Sequence, residues 1–162
     1  MKGAATNGPL WHHPFAMSSD PLAKSLTGGC LCGRVQYRID GGAAAFGPVA
    51  NCHCSMCRKA QGSAFGTNAD VASANFHLLH GKDCIAEYES SPGKFRCFCR
   101  SCGSPLYSRR TERPGIVRVR FGTLNDDPGV RPSFHFAVDS KAPWWDLHDE
   151  LPRLDSNGRK VS

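Results

Sequence analysis

The stretch Gly115–Gly122, GIVRVRFG, decides the fold class: Val117, Val119 and Phe121 recur at every second position with Arg118 and Arg120 between them, and Ile116 alone falls outside the alternation. A period of two belongs to a strand with one face buried, because successive side chains leave an extended backbone on opposite sides. Similar short runs surround it: GRVQYRI (33–39), SAFGTNADV (63–71), FHLLHG (76–81), CIAEYES (84–90), KFRCF (94–98), PLYSR (105–109) and PSFHFAV (132–138), while GIVRVRFG itself continues to Leu124. Gly and Pro punctuate them. They predict a mainly β domain of many short antiparallel strands. Only RKAQG (58–62), directly after Cys57, reads as a turn of helix.

The 162 residues suit a single core, long enough to bury roughly two thirds of the surface the unfolded chain exposes. Residues 1–24, with Gly, Pro, His and Ser and no sustained period, read as a disordered leader or a remnant of expression. The domain is expected over 25–154, followed by a polar tail at 155–162. No apolar h-region opens the chain, and GGAAAFGPVA (41–50) is too short and too broken for a membrane span of ~18 residues. The chain therefore reads as a cytoplasmic protein with reduced cysteines.

The formal charge of +6 raises nucleic acid as a partner. The basic residues are scattered, however, in RKA, KFR, SRRTER, RVR and GRK, without the interleaved aromatics of a single-strand groove, so nucleic acid is not expected. A homo-oligomer is compatible with the composition.

Nine cysteines are the informative excess. Inside a cell, spaced thiols mark metal sites rather than disulfides. Cys99-Arg100-Ser101-Cys102-Gly103 is a zinc-knuckle pattern, in which two intervening residues let the chain turn so that both sulfurs converge. Cys30-Leu31-Cys32, flanked by Gly29 and Gly33, puts two thiols on one side of an extended segment. Cys30, Cys32, Cys99 and Cys102 together make a closed set of four thiolates, a structural zinc site. NCHCSMCRK (51–59) supplies three more, Cys52, Cys54 and Cys57. Three protein ligands with an open fourth position are what a catalytic zinc requires. Cys97 and His53 are rivals for that position, and Cys30 with Cys32 could instead join the triple. Cys84 reads as a small core side chain. Seven thiolates around two zinc ions carry a net −3, which brings the chain to about +3.

GGCLCGRVQY (28–37), NCHCSMCRKAQGSAF (51–65), SSPGKFRCFCRSCGSPLYS (90–108) and APWWDLHDELPRL (142–154) are similar to motifs of the glutathione-dependent formaldehyde-activating enzyme family, also called the GFA or centromere protein V family. The resemblance implies a β-tent fold with two zinc ions, one at Cys30, Cys32, Cys99 and Cys102 and one at Cys52, Cys54 and Cys57. It also implies carbon-sulfur lyase chemistry: condensation of formaldehyde with glutathione to S-hydroxymethylglutathione at the three-cysteine zinc. Arg58 and Lys59 beside that site are candidates for holding the glutathione carboxylates, and His135 is a weaker candidate for proton transfer. The rival expectation is a non-catalytic two-zinc module that binds glutathione, another thiol or a protein.

Overall fold

The computed structural model describes residues 25–161, so the expected leader at 1–24 and the terminal Ser162 lie outside the described residues. Twelve strands and one short α-helix follow in order: β1 (Leu26–Gly29), β2 (Gln36–Ile39), β3 (Ala50–Cys52), α1 (Ser55–Gln61), β4 (Gly66–Ala72), β5 (Phe76–His80) and β6 (Ile85–Ser91). The second half holds β7 (Lys94–Cys99), β8 (Pro105–Arg110), β9 (Ile116–Arg120), β10 (Phe134–Phe136), β11 (Arg153–Leu154) and β12 (Lys160–Val161). All eight runs expected from the sequence contain a strand. The predicted turn at RKAQG is the end of α1, which Gly62 closes in the left-handed conformation at φ 62°.

The strands form two sheets, one of three strands in the order β1-β2-β5 and one of nine in the order β12-β11-β10-β3-β4-β9-β8-β7-β6. Pairing is antiparallel throughout except at β10, which runs parallel to both β3 and β11. The core lies between the sheets: Leu26, Val35, Tyr37 and Ile39 meet Val71, Leu106, Val117 and Val119. Fully burying such a side chain contributes ~1.5–3 kcal/mol. Phe76 bridges the layers, its ring 5.0 Å from those of both Tyr37 and Tyr107.

Cross-strand partners share a face, so the register sorts the large sheet into two surfaces. Ala69, Val119, Tyr107 and Cys97 stand opposite one another on the core side. Asp70, Arg118, Ser108 and Arg96 form the matching row on the other side, with Asn68 opposite Arg120 and Lys94 opposite Arg110. The alternation of GIVRVRFG thus divides apolar from cationic, but Arg120 on the cationic face is buried.

The expected polar tail is ordered into a hairpin, because β11 pairs antiparallel with β12. The turn is set by the Asp155 carboxylate, which accepts from the backbone N–H of Asn157 and of Arg159, and by Gly158 at φ +79°.

Candidate functional site

Two groups of thiols gather in the structure, Cys30 with Cys32, Cys99 and Cys102, and Cys52 with Cys54 and Cys57, the sulfurs within each group lying inside 4.8 Å of one another. A tetrahedral zinc with Zn–S bonds near 2.3 Å has an S···S edge of about 3.8 Å. The observed separations of 3.5 Å for Cys30–Cys32, 3.8 Å for Cys32–Cys99 and 3.6 Å for Cys52–Cys54 are those of such an edge. The donor sets therefore fit zinc.

Convergence of Cys30 and Cys32 comes from a turn rather than from the extended segment expected. β1 ends at Gly29, the Gly33 N–H donates to the Cys30 carbonyl at 3.0 Å, and Gly33 takes a positive φ of 74° that L side chains rarely adopt. The Val35 N–H donates to Cys30 Sγ at 3.2 Å, a bond that favours the thiolate. Across the site, Ser104 Oγ accepts from the Leu31 N–H at 2.9 Å and lies 3.3 Å from Cys102 Sγ. That hydroxyl is the chief reason the Cys102 thiol is lowered to about 5.

The second group is local. Cys52 ends β3, Cys54 is the N-cap of α1, and Cys57 is the third residue of the helix, so its N–H donates to Cys54 Sγ at 3.3 Å as an N3 amide does to a capping oxygen. Among the three thiols the proton is unequally held: hydrogen bonding to Cys54 and Cys57 pushes Cys52 up, whereas hydrogen bonds from Cys52 and Cys54, with Arg120 and Arg96 nearby, pull Cys57 down.

No fourth protein ligand joins this group among the described residues. Cys97 lies on the core face, 3.3 Å from Glu87 Oε1, where burial and then Glu87 push its thiol up to about 12. His53 is turned away as strand alternation requires; its Nε2 is 2.8 Å from His135 Nδ1, and His135 Nε2 is 3.0 Å from Asp149. Burial first, and the adjoining His135 second, lower His53 to about 4, so the ring is neutral. This row, two buried histidines ending on the exposed Asp149, escapes a reading of the sequence, because its members are 82 and 14 residues apart.

The three thiols open onto a cavity of about 620 Å³, whose walls also include Asn68, Lys94, Ser108, Arg118, Arg120 and Phe136. Arg58 and Lys59 do not line it. The Arg58 guanidinium donates to the backbone carbonyls of His53 and Ser140, each at 3.2 Å, and Lys59 is exposed. His135 is buried and does not line the cavity. Cys84 is partly buried against the core.

A mainly β domain with one set of four thiols and one set of three is a scaffold with two groups that could each hold a metal ion. The sequence model of "Glutathione-dependent formaldehyde-activating enzyme" matches residues 25–140, and the chain belongs to that family. A Halomonas elongata protein named for the same family is 28% identical over 130 residues, covering 75% of this chain and 80% of its own. A crystal structure of a Rhodobacter sphaeroides protein superposes with a TM-score of 0.51 at 25% identity, covering 65% of this chain and 91% of the other. The mainly β fold expected from the resemblance, of the β-tent type, is borne out. No helix among the described residues is long and apolar enough to cross a membrane.

Proposed function

We propose that the protein is a zinc-dependent carbon-sulfur lyase that joins a small aldehyde, formaldehyde in the first instance, to the thiol of glutathione. The observation that carries this reading is a three-thiol group with no fourth protein ligand that opens directly onto a cavity of tripeptide size. Zinc held by Cys52, Cys54 and Cys57 would supply a fourth position at which an external thiol is kept as the nucleophilic thiolate. In the reaction the sulfur forms a bond to the carbonyl carbon, the carbonyl π pair moves to oxygen, and the proton given up by the thiol ends on that oxygen as a hydroxyl.

The chain's own residues supply position and charge. α1 fixes Cys54 and Cys57 in one helical turn, β3 fixes Cys52, and the cationic wall of the cavity favours a thiolate over a thiol. Holding the two reactants side by side would contribute much of the acceleration. The group of Cys30, Cys32, Cys99 and Cys102 has the structural role, with zinc as the metal at both. A cytoplasmic location belongs to the same proposal and is supported by all nine cysteines being free thiols.

The test is the formaldehyde–glutathione exchange rate by NMR with and without zinc-loaded protein, since the uncatalysed reaction proceeds unaided. Acceleration that vanishes in Cys54→Ser is expected. No acceleration from protein carrying two zinc ions would leave a thiol-binding module in place of an enzyme.

A further inference from the structure

The cationic face of the large sheet carries more positive charge than its acids neutralise. Arg113 and Arg118 share Asp70 at 3.0 and 3.5 Å, and Arg110 pairs with Glu112 at 2.7 Å. Lys94, Arg96 and Arg120, in the same face, make no ion pair among the described residues. Two of them are deeply buried guanidiniums: Arg96 is 8% exposed and Arg120 3%. Arg96 Nη1 and Nη2 and Arg120 Nε have no hydrogen-bond partner, Arg120 being otherwise held by Asn68 Oδ1. A buried guanidinium with unused donors is costly unless something negative completes it.

The thiolates beside them account for part of this charge. Arg120 and Lys94 line the same cavity as Cys52, Cys54 and Cys57. Zinc with three thiolates carries a net −1, which offsets one of the three cations and leaves two.

We propose that the cavity binds its ligand through a carboxylate held by Arg120 and Lys94, with the buried charge of Arg96 behind them, next to the three-cysteine group. Arg120 and Lys94 line the cavity itself, and Arg96 lies in the same face opposite Ser108, another of its walls. A planar guanidinium fork matches a carboxylate's two oxygens, and the ammonium adds a point charge. The assignment deepens the proposed function, on which it rests, by naming a ligand class that formaldehyde does not meet. The carboxylate belongs either to the thiol or to a carbonyl partner that is an oxo acid.

Calorimetric titration of the zinc-loaded full chain separates these sources. One pair of probes is glutathione and its diester; the other is glyoxylate and neutral glycolaldehyde. At least one acid binds roughly tenfold or more tightly than its uncharged counterpart, the scale of a lost charge-assisted bond, and the pair that shows the difference names the source. The preference falls in Arg120→Gln; where that variant fails to hold two zinc ions, Lys94→Met reports instead. Equal binding of acid and neutral probes by the unaltered protein, or a full acid preference kept by the variants, overturns the proposal. Charge-dependent binding without any acceleration of adduct formation would overturn the enzymatic reading alone.

Discussion

Cys97 stands two residues before Cys99, a member of the four-thiol group, on the same strand face, yet takes no part in either group. The reason is spacing. Alternate residues of a straight strand are about 6.6 Å apart, well beyond the 3.8 Å observed between Cys32 and Cys99, whereas the same i, i+2 spacing at Cys30 and Cys32 converges because the chain turns there. Sequence alone gives both pairs the same pattern and leaves the fourth ligand of the three-cysteine group open. Cys97→Ala should therefore leave zinc content unchanged by metal analysis. The native thiol, buried and held near 12 by burial and then by Glu87, should resist iodoacetamide at pH 8 in folded protein and react only on unfolding, as read by mass spectrometry. Loss of zinc in Cys97→Ala would return this residue to the ligand set.

At the level of elements, the long alternating runs declared themselves and the short ones did not. β3 is three residues hidden inside the cysteine motif, and β11 and β12 are two residues each, too brief for any period to register. Arg120 was legible as a member of the alternating face, but the residues that share its cavity, Cys54 and Cys57 at α1 and Phe136 of β10, are remote in sequence. The small sheet depends on a similar long-range contact. A Cβ on Gly28 would overlap the Tyr37 ring and press on the Thr123 carbonyl, just where the Tyr37 hydroxyl meets Thr123 Oγ1 at 2.7 Å. Gly28→Ala should be destabilising by ~1–3 kcal/mol, as overpacking generally is, and denaturant unfolding would show it as a lower midpoint. Leu106→Ala, which empties a fully buried site between the sheets, should cost ~2–5 kcal/mol. A silent Gly28→Ala would mean that β1 is not packed on Tyr37 as described.

For the whole molecule, the two thiol groups differ in what they connect. Cys52, Cys54 and Cys57 lie in one short segment already shaped by the N-cap of α1, so metal there closes no long loop. Cys32 and Cys99 are 67 residues apart and join the β1–β2 turn to the β7–β8 turn. By the chain-entropy estimate used for covalent cross-links, closing a loop of that length removes roughly 4 kcal/mol of freedom from the unfolded chain. A domain of this size is stable by only about 5–15 kcal/mol, so metal held by the four-cysteine group would carry a large share of it and metal at the three-cysteine group little. Chelation should therefore proceed in two phases. The first zinc leaves the site that faces the cavity, with the β-sheet circular dichroism intact; the second leaves more slowly and the fold goes with it. Cys54→Ser should abolish the first phase and keep a folded chain with one zinc ion, while Cys102→Ser should unfold the domain or lower its midpoint steeply. A single phase in which both ions and the β signal are lost together would show that the three-cysteine group also holds the fold, and the division between a structural and a reactive centre would fail.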